Sequence, residues 1–250
     1  MAMTRQQAAE LQRALMAKGY DVGRAGADGD YGPATHLSNL AAVAAAPSFR
    51  RATTGLANPT AFWNALRGSK QLGPSLTQSE VDGVSYKLAA MGQAGWPVAD
   101  AAYGLATSYH ETGGVMHPVR EIGRGAGKAY GKPGPHGGQV AYGRGDVQLT
   151  WPENYAKVDA ALGLGGALIK NYDLALQPDI SARTMVYGME TGLFTGKRLA
   201  DYLPRSGHAG HDSFGQARRI INGTDKADKI AADALMFQSA LQAGRWGPVA

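Results

Sequence analysis

The spacing of apolar residues predicts helices along most of the chain. A first helix over residues 4–18 has apolar side chains at i, i+3 and i+7, and Gly19 follows where a helix-ending glycine belongs. A turn-rich segment leads to Pro33, which opens a second helix. Together these elements predict a small helical domain over residues 1–50, followed by a linker over residues 51–59.

The rest of the chain, residues 60–250, also has mostly helical periodicity. A short helix comes first, and the sequence Thr77-Gln-Ser-Glu80 then fits the capping box that begins a second one. Pro97 begins a further helix, which ends at Gly113-Gly114, and residues 227–241 carry the apolar stripe of a last helix. Because strand signals are few, we expect a mostly α fold.

Glycine and positive charge are concentrated in one segment of the larger domain. Residues 113–145 hold eleven of the 35 glycines. A loop of about thirty residues inside a compact domain is more often functional than structural filler. Residues 115–145 also hold five basic residues against one acidic residue, a balance of +4 in a chain whose net charge is +5. We therefore expect the functional site and an anionic partner beside this segment.

Several classes of protein are excluded by what the sequence lacks. Without cysteine there is no disulfide scaffold, thiol nucleophile or Cys-ligated metal site. The first residues lack the apolar core of a signal peptide, and the longest apolar run, residues 40–46, is too short to span a bilayer. The basic residues are not interleaved with aromatic residues, as they are in proteins that bind single-stranded nucleic acid. We expect a chain that is made in the cytoplasm, does not insert into membranes and does not bind nucleic acid.

Motifs for metal and phosphate chemistry fail on spacing. His110-Glu111 begins like the zinc motif H-E-x-x-H, but position 114 is glycine. Lys128 and Lys132, the two candidate P-loop lysines, are followed by Ala and Pro where Ser or Thr is required. We therefore expect neither a metal nor another cofactor.

Two carboxyl groups form the candidate chemistry. Glu111 lies at the C-terminal end of an apolar helix, where the helix dipole and the apolar face around Leu105 and Tyr109 disfavour an ionised carboxylate, as suits a general acid. Glu121 follows ten residues later, among basic residues that favour its ionised form. One protonated and one ionised carboxyl are the acid and base of a glycoside hydrolase. Each glutamate alone is also compatible with an ordinary surface carboxylate.

The segments around these carboxyls resemble glycoside hydrolase family 19, which comprises chitinases and related lysozyme-like endolysins. They are Ala106-Thr-Ser-Tyr-His-Glu-Thr-Gly-Gly114, Pro118-Val-Arg-Glu121 and Tyr142-Gly-Arg-Gly-Asp-Val-Gln-Leu-Thr-Trp151. Further segments at residues 62–83, 171–175 and 219–223 fit as well, so that the resemblance covers about residues 58–245. It implies a lysozyme-like, mostly helical catalytic domain over residues 60–250.

The resemblance also implies a role for individual residues. Glu111 matches the general acid, Glu121 the general base, and Thr150 the hydroxyl residue that holds the attacking water. Residues that contact the sugar are matched by Gln148, Asn154 and Asn222. The family inverts the anomeric centre without a metal, which requires the carboxyls to be roughly 6.5–9.5 Å apart so that a water fits between them.

Three more residues of these motifs are candidates for substrate binding, namely His110, Tyr142 and Arg144. Each also has a structural interpretation. Tyr142 is equally an aromatic anchor, Arg144 a brace for the loop, and His110 a hydrogen-bonded residue at the helix end. For Trp151 and Tyr155 the alternatives are a wall of the sugar cleft and a place in the core.

Residues 4–48 resemble a peptidoglycan-binding domain of the three-helix type. The matching segments are Leu11-Gln-Arg-Ala-Leu15, Gly19-Tyr-Asp21 and Asp28-Gly-Asp-Tyr-Gly-Pro-Ala-Thr35. The resemblance implies binding to the cell wall, with Tyr20, Asp28 and Tyr31 as the candidate contact residues. A helical cap on the catalytic domain is the alternative.

The two resemblances together predict a modular phage endolysin. It would hydrolyse the β-1,4 bond between N-acetylmuramic acid and N-acetylglucosamine in bacterial peptidoglycan and so lyse the host cell. We expect a monomer whose partner is peptidoglycan, and which reaches the wall after a separate protein permeabilises the membrane. A chitinase acting on N-acetylglucosamine polymers is the first alternative, and a catalytically silent wall-binding protein is the second.

Overall fold

The structure, a computed structural model, describes residues 54–248 and seven earlier positions, which are Gln6, Ala9, Gln12, Arg13, Met16, Ala17 and Ala27. The chain divides into two compact units, Met1–Arg51 and Ala52–Ala250. In the first unit, the six described positions within residues 4–18 are helical, as the periodicity predicts. The helix predicted from Pro33 and the candidate wall contacts Tyr20, Asp28 and Tyr31 lie outside the described residues.

The described part of the second unit is mostly helical, which confirms the predicted fold class. Its helices are α1 (Pro59–Arg67), α2 (Gln78–Gln93), α3 (Val98–Glu111), α4 (Pro152–Ala161), α5 (Ala167–Lys170), α6 (Pro178–Thr191), α7 (His211–Ala217) and α8 (Ala227–Ala243). Short 3-10 turns cover Ala129–Gly131, Tyr172–Leu176, Leu199–Asp201 and Arg218–Ile220. Two small antiparallel sheets pair β1 (Thr54–Leu56) with β4 (Trp246–Pro248) and β2 (Val119–Arg120) with β3 (Arg144–Gly145). Among the described helices none is long and apolar enough to cross a membrane.

The start of the second unit differs from the linker predicted over residues 51–59. Thr54–Leu56 forms β1, in which Leu56 is paired with Trp246 of β4. Asn58 then caps α1, because its side chain accepts a hydrogen bond from the backbone N–H of Ala61 at 3.2 Å. The strand is missed in the sequence because three residues with one large apolar side chain have no measurable period, and their partner lies near the other end of the chain.

Helix α3 lies at the centre of the second unit. Residues 99–108 are all buried, so the helix is covered on every side rather than along one stripe. Most of these residues are small, which allows close approach, and a Cβ added to Gly104 would lie 2.8 Å from the ring of Trp96. Helix α8 packs against α3, α1 and α7, and α2 packs against α6. The core is therefore built around the helix that carries Glu111.

The ends of the helices follow local signals in the sequence. The predicted capping box is present at the start of α2. The Thr77 hydroxyl accepts a hydrogen bond from the backbone N–H of Glu80, and the Glu80 carboxylate accepts one from the backbone N–H of Thr77. Helix α3 ends at Glu111 because Gly113 has a φ of +64° and the N–H of Gly114 donates to the carbonyl of Tyr109 at 2.8 Å. Both boundaries confirm the predictions.

A buried ion pair joins α2 to the segment that follows β3. Lys87 Nζ lies 2.8 Å from Asp146 Oδ1, and both side chains are fully buried. Lys87 also donates to the carbonyl of Met116 at 2.7 Å, while Asp146 accepts from the hydroxyls of Ser108 at 3.0 Å and Ser181 at 2.6 Å. Burial lowers the pKa of Lys87, and the charge of Asp146 opposes that change. Helices α2, α3 and α6 thus share one polar network with the segment after β3.

Replacing Lys87 with methionine is expected to lower the free energy of unfolding by about 3–5 kcal/mol, because Asp146 would remain buried without its counter-charge. The measurement is urea unfolding followed by tryptophan fluorescence. Trp63, Trp96, Trp151 and Trp246 are the four tryptophans of the chain, and all lie in the second unit, so the signal reports on that unit.

The matched control is Lys70→Met, because Lys70 is exposed and its loss should change the free energy of unfolding by at most about 0.5 kcal/mol. A Lys87→Met protein as stable as this control would show that the buried pair contributes nothing to the stability of the second unit.

Candidate active site

Glu111 is the last residue of α3, and a buried arginine holds its carboxyl. Arg218 Nη1 donates to Glu111 Oε1 at 2.6 Å, and the side chains of the two residues are 2% and 17% exposed. Arg218 Nε donates to the carbonyl of Asp225 at 3.0 Å, which fixes the guanidinium. Within the described part of the chain, Glu111 Oε2 has no hydrogen bond. The carboxyl therefore has one anchored oxygen and one oxygen free to contact a substrate.

The apolar setting predicted for Glu111 is wrong. Leu105 is buried in the core, and the hydroxyl of Tyr109 donates to the carbonyl of Gln71 at 2.9 Å, while the carboxyl itself contacts a guanidinium. Arg218 is separated from Glu111 by 107 positions and is followed directly by Arg219. No local pattern distinguishes these two arginines, so the sequence does not reveal which one is buried against the acid.

Glu121 directly follows β2, and the segment before β3 holds it in place. The N–H of Gly143 donates to Glu121 Oε2 at 2.9 Å, and the N–H of Glu121 donates to the carbonyl of Gly143 at 2.8 Å. The hydroxyl of Tyr130 donates to Glu121 Oε1 at 2.9 Å. Both carboxyl oxygens therefore act as acceptors. Burial and the neighbouring Glu121 raise the pKa of the Tyr130 hydroxyl, which keeps it a donor.

An aromatic pair adjoins Glu121. Tyr130 lies edge to face with Trp151, with ring centroids 5.4 Å apart, and Trp151 is 44% exposed. Tyr155, by contrast, is fully buried and stacked on Tyr172 with centroids 4.1 Å apart. Trp151 therefore lies at the surface beside Tyr130, where a wall of a sugar cleft is possible, whereas Tyr155 lies in the core. Tyr130 itself is missed by the sequence reasoning because it lies among glycines and belongs to no recognised motif.

Thr150 lies in a hairpin over residues 141–151, which ends beside this aromatic pair. Arg144 and Leu149 exchange backbone hydrogen bonds of 3.1 and 2.8 Å, and the N–H of Trp151 donates to the carbonyl of Ala141 at 3.1 Å. Thr150 is half-buried, between the buried Leu149 and the exposed Trp151. Its hydroxyl has no hydrogen bond to another described residue. The predicted role of Thr150, to hold a water, stays a prediction.

Arg144 and Tyr142 have contacts that brace the hairpin. The buried guanidinium of Arg144 donates to Asp173 Oδ1 at 2.8 Å and to the carbonyls of Val140 and Tyr142 at 3.1 and 3.0 Å. It also lies 3.5 Å above the centre of the Tyr142 ring. Arg120 donates to Asp173 Oδ1 at 2.5 Å and to the Tyr142 hydroxyl at 3.1 Å. These contacts favour the structural interpretation of both residues over direct substrate binding.

The other candidates for sugar contact differ in their surroundings. Gln148 Nε2 donates to the carbonyl of Val119 at 3.3 Å, so its amide ties the hairpin to β2. Asn154 is half-buried in the first turn of α4, and Asn222 is exposed. Burial lowers the pKa of His110, which favours a neutral imidazole beside Glu111.

One buried support connects the elements that carry the two carboxyls. Asp146 directly follows β3 and accepts a hydrogen bond from Ser108, which lies one turn before Glu111 in α3. Strand β3 pairs with β2, and Glu121 is the next residue after β2. Asp146 therefore joins α3, which carries Glu111, to the strand pair that precedes Glu121. Each glutamate also has its own hydrogen-bond anchor.

The described residues hold no group of three or more His, Cys, Asp and Glu side chains that is arranged as a metal site.

No protein-family model matches the chain, and no curated protein matches it significantly. Among solved structures, the chain is similar to chitinase C from Streptomyces griseus HUT6037, with 24% identity and a TM-score of 0.49 over 75% of this chain and 77% of that chain. It is also similar to a mutant of chitinase C, with 22% identity and a TM-score of 0.47 over 78% of this chain and 97% of that chain. A bacterial family 19 chitinase has 22% identity and a TM-score of 0.43 over 76% of this chain and 95% of that chain. These likenesses are weak in identity and in TM-score, so the proposed function rests on the side chains of the site.

Proposed function

We propose that the second unit is a glycoside hydrolase that cleaves the β-1,4 bond between N-acetylmuramic acid and N-acetylglucosamine in bacterial peptidoglycan. The observation that carries this proposal is the different anchoring of two carboxyls. Glu111 has one oxygen on Arg218 and one without a partner among the described residues, whereas both oxygens of Glu121 accept hydrogen bonds. In this proposal Glu111, with one oxygen open to a substrate, takes the place of the acid, and Glu121, with both oxygens accepting hydrogen bonds, takes the place of the base of an inverting hydrolase.

In the proposed reaction, Glu111 donates a proton from Oε2 to the glycosidic oxygen, and the leaving sugar departs with that proton. Arg218 stays on Oε1 and stabilises the carboxylate that forms. Glu121 takes a proton from a water held by Thr150, and the water oxygen attacks the anomeric carbon from the opposite face. The product has inverted configuration, Glu111 ends ionised and Glu121 ends protonated, and exchange with water restores both.

The choice of peptidoglycan over chitin is supported by the resemblance of residues 4–48 to a wall-binding domain. Such a domain would concentrate the hydrolase on its polymer and raise the effective substrate concentration. In this proposal the chain is an endolysin that degrades the host wall once a separate membrane-permeabilising protein has released it.

The proposal is tested by analysing the products of purified peptidoglycan. We expect new reducing ends on N-acetylmuramic acid, which borohydride reduction followed by mass spectrometry identifies, and an α-anomer as the first product in a nuclear magnetic resonance time course. The Glu111→Gln protein serves as the control for contaminating activity. New free amines would instead indicate cleavage of a stem-peptide amide, products from chitin alone would indicate a chitinase, and no product from either polymer would indicate a silent wall-binding protein.

A further inference from the structure

Residues 121–132, called the basic loop below, have a closed and well-defined backbone. Four successive turns are formed by N–H to carbonyl hydrogen bonds from Arg124 to Glu121, Ala126 to Gly123, Lys128 to Gly125 and Gly131 to Lys128, at 2.9–3.1 Å. A Cβ on Gly131 would collide with the carbonyl oxygen of Gly125, so the two backbones can approach this closely only with glycine. The hydrogen bond from Tyr130 to Glu121 closes the loop. The basic loop is thus a compact, hydrogen-bonded structure that contains the proposed base.

Three cations of the basic loop have no counter-charge among the described residues. Arg124, Lys128 and Lys132 are exposed, and none of them forms an ion pair with a described residue. The other two basic residues of this region, Arg120 and Arg144, share Asp173 as their partner. The positive balance of residues 115–145 is therefore presented to solvent mainly by three side chains of the loop that contains Glu121.

An aliphatic side chain accompanies these cations. Ile122 is 99% exposed although it lies directly beside Glu121. A single exposed apolar side chain is common at protein surfaces, and here it offers an apolar contact to a ligand bound at the loop. The surface of the basic loop therefore combines three positive charges with one apolar side chain.

We propose that the basic loop binds the stem peptides of peptidoglycan and so selects peptide-bearing glycan strands over bare ones. This inference rests on the proposed function. A stem peptide offers several carboxylates for the three cations and alanine methyl groups for Ile122, whereas a bare strand offers one lactyl carboxylate on each muramic acid and no alanine methyl group. Because Glu121 belongs to the loop itself, a stem peptide bound there lies next to the bond that is cleaved.

The test compares two soluble substrates prepared from the same wall. One is glycan with intact stem peptides, and the other is the same glycan after an amidase has removed the peptides, which leaves only the lactyl carboxylate on each muramic acid. The variant is Arg124→Gln/Lys128→Gln/Lys132→Gln in the full chain. The matched control is Lys157→Gln/Lys170→Gln/Arg245→Gln, which removes the same charge from three exposed positions on other elements of the second unit.

We expect the loop variant to raise KM for peptide-bearing glycan about tenfold with kcat unchanged, as the loss of three exposed ion pairs implies. KM for stripped glycan should rise by a clearly smaller factor, because only one carboxylate remains on each muramic acid, and the control variant should behave like wild type. The preference of the wild-type protein for peptide-bearing glycan should also fade as salt is raised from about 0.05 to 0.5 M.

Other outcomes overturn the inference in separate ways. An equal rise in KM on both substrates would show that the three cations bind the glycan itself rather than the stem peptide. An equal effect of the control variant would show that only the net charge of the protein matters. A loop variant with wild-type KM on both substrates would remove the loop from substrate binding, although the proposed hydrolysis would stand. A wild-type protein that releases no reducing ends from either substrate would overturn the proposed function and this inference together.

Discussion

Replacing Glu111 with glutamine is expected to lower kcat on peptidoglycan by on the order of 10²–10⁴-fold, with little change in KM. Glutamine has the same shape as glutamate but cannot supply the proton that the leaving sugar needs. Its amide oxygen can still accept the hydrogen bond from Arg218, so the position of the side chain should be kept. The rate is measured as the loss of turbidity of purified walls and, for kcat and KM, as new reducing ends on soluble glycan.

Glu153→Gln is the matched control for this change. Glu153 is an exposed glutamate in the first turn of α4, and no described residue donates a hydrogen bond to its carboxyl. The control protein should have wild-type activity. A Glu111→Gln protein with full activity would show that the proton comes from another group, and the assignment of Glu111 as the acid would be wrong.

Replacing Glu121 with glutamine is expected to lower kcat by a similar factor, on the order of 10²–10⁴-fold. An amide cannot take the proton of the attacking water. The amide NH₂ would also face one of two hydrogen-bond donors, the N–H of Gly143 or the hydroxyl of Tyr130, so one of these contacts would be lost. Stopped assays on soluble glycan give kcat and KM, and near-ultraviolet circular dichroism shows whether the surrounding structure is retained.

Tyr130→Phe separates the two effects of this replacement. It removes one hydrogen bond but leaves the carboxylate, so kcat should fall much less than in Glu121→Gln. If Glu121→Gln is as active as wild type and Glu153→Gln is inactive, the base is Glu153 instead. Asp146 is not an alternative base, since its side chain is fully buried and paired with Lys87.

Much of the helical framework can be predicted from the sequence, because the relevant signals act over a few residues. The capping box at Thr77 and Glu80 and the end of α3 before Gly113 are both found where the pattern predicts them. The last helix, predicted over residues 227–241, is Ala227–Ala243. Each of these boundaries depends on backbone hydrogen bonds between near neighbours and on the 3.6-residue period.

The surroundings of the candidate site could not be predicted in the same way. The partner of Glu111 is one of two adjacent arginines and lies 107 positions away. Tyr130 reaches Glu121 only because the glycines of the basic loop allow the backbone to fold onto itself. Lys87 has the charge of a surface residue, and only the packing of α2 against the segment after β3 places it in the core.

The sequence alone therefore determined the helical class and the helix ends, and it singled out the two glutamates that we propose as acid and base. The tertiary structure decided what each glutamate contacts, since long-range packing selects which arginine, tyrosine or lysine is buried beside a carboxyl. Local patterns do not encode these choices, because burial and ion pairing depend on segments that are distant in sequence and become neighbours only when the chain folds.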